Sequence, residues 1–295
     1  MPAATIDAHH HIWRQADLPW LMGPMVPRIF GPYEAIRRDY PVEEYLADIK
    51  GSGVVKSVYV QDNWAPGRAL DEAEWVQSEA GRSGWPNAIV AYADLMAEDV
   101  RPELDQLARV PLVRGIRMQL HWHDNPDYRF AKRHDLADDP LFRRNFAALA
   151  AHGLSFDLQV FAPQMAVAAR LAADHPETTF ILQHAGMLED LSETGRDEWR
   201  QGMRLLAAQP NVMSKLSGLG TFIHRNDPDH TTWIVREAAA LFGADRCLFG
   251  SNFPIEKLWT DYASLISAFR AAVADFTPAE QAAMLHDTAA RVYRV

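Results

Sequence analysis

The sequence predicts an α/β protein built as a single (β/α)8 barrel of the TIM type. Eight short apolar segments alternate with helical segments along the chain. Polar residues recur on one face of most of the strands, whereas the other face is apolar. The 295 residues carry no internal repeat, low-complexity tract or domain boundary, so residues 1–295 read as one domain.

The first strand is Thr5-Ile6-Asp7-Ala8-His9-His10-His11-Ile12. Alternation puts Asp7, His9 and His11 on one face and Ile6, Ala8, His10 and Ile12 on the other. Two imidazoles so spaced can converge on one metal ion or one substrate group. From Arg14 to Pro41, Pro19, Pro24, Pro27 and Pro32 forbid a continuous helix among Trp20, Met22, Met25 and Phe30. An apolar loop of this length reads as an active-site lid over residues 14–41.

A helix over Val42–Lys50 ends at Gly51, and Val54–Gln61 is the second strand. The remaining strands are expected at Ala88–Asp94, Leu112–His121, Ser155–Phe161, Thr178–His184, Val212–Ser217 and Arg246–Asn252. Helices are expected between them near Glu72–Ala80, Pro102–Arg109, Pro140–His152, Gln164–Asp174, Glu198–Ala208 and Thr232–Phe242. Tyr262–Asp275 and Pro278–Tyr293 close the barrel.

Strand parity selects the inward residues. In the fourth strand Arg117, Gln119, His121 and His123 alternate with Ile116, Met118, Leu120 and Trp122. The same parity turns Tyr59 and Gln61 inward against Val58 and Val60, and Asp157 and Gln159 against Phe156, Leu158 and Val160. Lys215 and Ser217 likewise face in against Leu216. Burying Arg, Lys, Gln and His without partners is costly, so their convergence on one barrel mouth points to a site rather than a core.

Composition narrows the function. The chain is 48% hydrophobic and 23% charged, as in ordinary globular proteins. A formal charge of -10 argues against nucleic acid or an anionic membrane as partner, so an anionic substrate must be met by local cations. A single cysteine, Cys247, excludes an internal disulfide framework and fits a reducing compartment. Asp, His and Arg interrupt the N-terminal segment, unlike a signal peptide, and no apolar stretch of about 18 residues occurs. A cytoplasmic location is expected. The sequence leaves the oligomeric state open, a homo-oligomer included.

Four pieces together resemble the amidohydrolase superfamily. They are Ile6-Asp7-Ala8-His9-His10-His11-Ile12-Trp13, Gln183-His184-Ala185-Gly186, Lys215-Leu216-Ser217-Gly218-Leu219 and Phe249-Gly250-Ser251-Asn252-Phe253-Pro254. The closing His286-Asp287-Thr288-Ala289-Ala290-Arg291-Val292-Tyr293 is similar too. The likeness is to the lactonase-like branch, which includes 2-pyrone-4,6-dicarboxylate hydrolase, sugar-acid lactonases and a galactarolactone isomerase. The resemblance implies a site around His9, His11 and His184, either holding a divalent metal such as Zn or Mn or working metal-free, the two being equally compatible with the sequence. It also implies a strand-eight aspartate that takes a proton from water, and there this chain carries Asn252. An amide has no proton acceptor of that kind. A histidine among His9, His11 and His184 is expected to replace it, with Glu256 second and Asp157 lying deeper in its strand.

The expected activity is hydrolysis of a small carboxylated or polyhydroxylated lactone. Arg117 and Lys215 would hold the carboxylate and the developing oxyanion, while Gln61, Gln119, His121, Gln159 and Asn252 read substrate oxygens. Lactone isomerisation and metal-dependent decarboxylation are the alternatives on the same scaffold. A non-enzymatic binder of a small acidic ligand is the alternative from another class.

Overall fold

The computed structural model describes residues 3–295. Eight parallel strands pair in sequence order: β1 (Thr5–His10), β2 (Val54–Val60), β3 (Ala88–Ala91), β4 (Val113–Ile116), β5 (Ser155–Leu158), β6 (Phe180–Leu182), β7 (Val212–Leu216) and β8 (Cys247–Phe249). Just beyond β8, the chain returns to β1. Asn252 N donates to His9 O at 2.7 Å and His11 N to Phe253 O at 2.8 Å, which closes the ring. The expected (β/α)8 barrel is the fold.

The strands are shorter than their apolar runs suggest, because the chain leaves the ladder as each segment reaches the barrel mouth. Two helices start four or five residues earlier than periodicity places them, at Glu193 and Pro228. Ser192, Asp227 and Asp261 cap helices Glu193–Ala207, Pro228–Phe242 and Tyr262–Val273 with side-chain oxygens that accept orphan backbone N–H groups. The expected helix Pro140–His152 divides at Ala147, and the closing segment passes through one π turn, Ala283–Asp287.

The pairing separates two apolar layers. Ile6, Ala8, Val58, Val60, Ala88, Val90, Ile181, Met213 and Leu248 come from six strands and meet one another inside the barrel. Ala289, Val292 and Tyr293 of the last helix join this cluster and plug that end. A much larger cluster fills the space between strands and helices.

Two expectations about facing, for Asp7 and Tyr59, are corrected. Asp7 pairs with Ser57 and His10 with Tyr59, so Ala8 and His9 both stand opposite Val58. This β-bulge reverses the parity. His9 and His11 therefore face in, whereas Asp7 faces the helices, accepting from Tyr45 and Tyr262 hydroxyls at 3.0 Å each and from Ser251 Oγ at 2.6 Å. His10 also faces out, stacked on Tyr45 at 3.8 Å between ring centroids. Tyr59 faces out as well, donating to Glu72 at 2.7 Å, while Val58 and Val60 point in. In β6, Phe180 and Leu182 face the helices and the same alternation would carry His184 with them. Instead His184, Ala185, Gly186 and Met187 take φ of 54°, 47°, 73° and 53°, a left-handed turn that redirects His184 to the mouth.

Candidate active site

One cleft of about 740 Å3, partly open to solvent, sits at the C-terminal ends of the strands. Its floor comes from residues just past the strands: His11, Asp62, Asn63, Arg117, Gln119, His121, Gln159, His184, Thr221 and Asn252. Its roof is Trp13, Trp20, Pro27, Arg28, Ile29 and Phe30, with Tyr128, Arg129 and Phe130 opposite. Thus the 14–41 segment contributes directly to the cleft wall. Trp20 Nε1 donates to the Asp62 carbonyl at 2.9 Å and anchors that segment to the end of β2.

The three histidines pack as neighbours, His9 lying 5.1 Å from His11 and 4.8 Å from His184 between ring centroids. Close backbone makes room for them. A Cβ on Gly218 would lie 2.6 Å from His184 Nδ1, and one on Gly250 would lie 2.7 Å from His9 Cβ. His11 Nδ1 lies 2.7 Å from the Val60 carbonyl, which fixes the proton there and leaves Nε2 with its lone pair. His184 Nδ1 lies 3.0 Å from Ser217 Oγ. Burial and the nearby Arg117 and Lys215 charges push His184 down to about 3. The same causes, burial foremost, hold His9 well below the usual range, and burial with Arg117 does so for His11. All three are neutral at pH 7.

Neutral imidazoles suit a divalent cation, and both ring nitrogens of His9 are buried without a partner. The donor set therefore fits one. Among the described residues, however, no three His, Cys, Asp or Glu side chains are already arrayed around a common cation position.

Arg117 is 4% exposed and reaches Gln183 Oε1 at 3.2 Å and the Gln61 carbonyl, while its Nε has no partner. Burial lowers it to about 10, so it stays a cation at neutral pH. Gln61 lies behind the cleft: its Nε2 approaches the Arg117 carbonyl at 3.4 Å and Gln119 Oε1 at 3.5 Å. Lys215 has no surface in the cleft either. It is fully buried, paired with Asp157 at 2.5 Å and lying over the Tyr293 ring, so it supports the floor from below and is out of reach of a substrate. His121 and Gln159 do line the cleft, with His121 Nδ1 and Gln159 Oε1 lacking partners. His123 stands outside it, 3.3 Å from Glu189.

Asn252 lines the cleft with φ of 59°. Glu256 is 2% exposed behind it and lines no part of the cleft. Thr221 Oγ1 donates to its Oε1 at 3.2 Å and Trp259 Nε1 to its Oε2 at 2.9 Å. Burial without a cation raises Glu256 to about 7. Because Thr221 does line the cleft, its hydroxyl connects the cleft to this carboxyl.

Asp62, Arg28, Trp20 and Thr221 were not among the expected site residues. Each stands past a strand end, Trp20 in the short helix Pro19–Met22 and the others in loops, where period-2 alternation has stopped. Only Arg28 and Trp20 carried a signal, as members of the proline-rich apolar segment.

A family model described as amidohydrolase matches residues 6–295. An uncharacterized protein, y4mH, from Sinorhizobium fredii is 37% identical, with 99% of each chain covered. L-fucono-1,5-lactonase of Burkholderia multivorans is 32% identical over 99% of this chain and 97% of its own. A crystal structure of a Burkholderia multivorans amidohydrolase with bound zinc superposes with a TM-score of 0.81 at 29% identity, covering 99% of both chains. With the family model spanning nearly the whole barrel, the chain belongs to the amidohydrolase family.

Proposed function

We propose that the protein is a lactone hydrolase acting by water attack on a small acidic or polyhydroxylated lactone. The observation that carries this reading is the cleft itself. It is lined by a buried cation (Arg117), neutral imidazoles (His11, His184) and an amide (Asn252), together with Gln159 and His121, whose Oε1 and Nδ1 have no partner. The Burkholderia multivorans L-fucono-1,5-lactonase, matched over nearly its full length, supports the same substrate class.

Arg117 supplies charge where the carbonyl oxygen becomes negative. Asn252 and His184 orient the attacking water. For its proton there are two acceptors, and electrostatics decides between them. Burial first, and then the Arg117 and Lys215 charges, disfavour an imidazolium at His184, so its affinity for a proton is low. Glu256 has no cation beside it and takes a proton near neutral pH, the range in which a general base works best. The proton therefore passes through the Thr221 hydroxyl to Glu256. This role compensates for Asn252 and ranks Glu256 above the histidines.

His9, His11 and His184 are the residues that would hold a divalent cation, which would acidify water and polarise the carbonyl. Arg28 and Arg129 of the roof, neither in an ion pair among the described residues, suit a carboxylate on the substrate. The segment 14–41 serves as the lid, with Trp20 as its latch.

The test is a panel of sugar-acid and acidic lactones followed by acid release. Hydrolysis liberates one titratable acid per turnover. Ring isomerisation liberates none, and binding without acid release leaves only a ligand-binding protein.

A further inference from the structure

Gln183 follows β6, is fully buried and lines no part of the cleft. Its amide joins two groups that leave it a single orientation. Nε2 donates to Asp157 Oδ2 at 3.0 Å, and Oε1 accepts from Arg117 Nη1 at 3.2 Å. A carboxylate only accepts and a guanidinium only donates, so the amide cannot turn over without losing both bonds.

Asp157 is itself held fast. Lys215 Nζ lies 2.5 Å from its Oδ2, and Tyr293 Oη donates to its Oδ1 at 3.0 Å. Tyr293 ends the last helix, Thr288–Tyr293, which plugs the far end of the barrel. A continuous run of buried hydrogen bonds therefore crosses the barrel from this plug, through Asp157 and Gln183, to Arg117 at the mouth.

The run also sorts the charges. It holds two cations and one carboxylate, and the carboxylate is paired with Lys215. Both terminal nitrogens of Arg117 meet neutral carbonyl oxygens, those of Gln183 and Gln61, and among the described residues no carboxylate forms an ion pair with it. A glutamate at position 183 would reach the same guanidinium and cancel its charge. The amide fixes the group and leaves the charge to the cleft.

We propose that Gln183 is the positioning residue of Arg117, holding the guanidinium in place as an uncancelled cation for the developing oxyanion. The oxyanion part rests on the lactone-hydrolase reading, and the holding of Arg117 does not.

A residue that acts through Arg117 has nothing to act through once Arg117 is gone. The experiment uses full-length Gln183→Met, which keeps the length of the side chain and loses both hydrogen bonds, in the native and in the Arg117→Met background. On the best sugar-acid lactone of the panel, kcat should fall about tenfold or more in the native background with KM changed less than about threefold. In the Arg117→Met background the same substitution should cost less than about threefold. Equal losses in the two backgrounds, or no loss in the native one, overturn the role, because a residue that only supports the fold costs both proteins alike.

A readout without substrate is nitrogen NMR of protein labelled in its arginines, with the Arg117 signals identified by their loss in Arg117→Met. With both terminal nitrogens held on different carbonyls, rotation of the guanidinium is hindered, so the native protein should show two separate Nη signals for Arg117. In Gln183→Met they should merge. A single merged signal in the native protein overturns the proposal even if the variant does not fold, and two signals left unmoved in the variant overturn it too. Native protein that opens no lactone while these signals behave as stated refutes the lactone reading and not the positioning of Arg117.

Discussion

Replacing Glu256 by Gln separates an apolar-pocket carboxyl from an ordinary loop residue. Glu256 is raised from 4.5 to about 7 by burial. Because the folded value exceeds the unfolded one, its contribution to stability is complete below about pH 4.5 and is lost as pH rises to about 7. Above that, both states are ionised and the buried charge costs the fold its full amount. At about 1.4 kcal/mol per pH unit, the change between pH 5 and pH 8.5 is about 2.5 kcal/mol. Gln does not ionise, so the variant escapes it. For a chain of 295 residues the unfolding entropy is about 0.6 kcal/mol/K, so this amounts to about 4 °C. Lost hydrogen bonds to Thr221 or Trp259 offset both pH values alike and cancel in the comparison. Thermal melts at the two pH values should therefore show Glu256→Gln gaining about 4 °C on the native protein at pH 8.5 relative to pH 5. The acidic limb of kcat/KM near pH 7 should vanish in the same variant. Parallel Tm curves for the two proteins would refute the buried-acid reasoning, and a retained limb would return the base to a histidine.

Arg117→Met should lower kcat/KM on the panel lactones by about 100-fold or more, since it removes the buried charge facing the carbonyl; steady-state kinetics reads this, and an unchanged value removes its oxyanion role. Arg28→Met should raise KM about tenfold or more for lactones bearing a free carboxylate and change neutral lactones by less than about threefold. Equal effects on both classes would make Arg28 a packing residue of the roof. Zinc should raise the native Tm, and should do so much less in His9→Ala, because His9 is the histidine with both ring nitrogens unpartnered. Equal shifts in the two would place the cation elsewhere.

Much of this site was legible because its parts sit on periodic segments. Arg117, Gln119 and Gln159 face the cleft as alternation requires, and Asp157 and Lys215 face the barrel interior. His9 and His11 also arrive there, by a route alternation does not show: a bulge that places Ala8 and His9 against one residue of β2. Alternation puts Asp7 on their face because a one-residue insertion in a ladder leaves no mark on a hydrophobic pattern. The left-handed turn at His184 is hidden for a similar reason, since three of its four residues are not glycine. Alternation misplaces Tyr59 because its outward partner, Glu72, lies on a helix whose packing the strand does not encode. Lys215 illustrates another limit. Its inward direction was read correctly, but its pairing with Asp157 depends on a depth that parity does not report.

Ring opening by water in this cleft is read out by running the reaction in heavy-oxygen water. The expected product carries one labelled oxygen in its carboxylate, at a rate that falls in Arg117→Met. An unlabelled product formed at the enzymatic rate, or a lactone that only changes ring size, would contradict it.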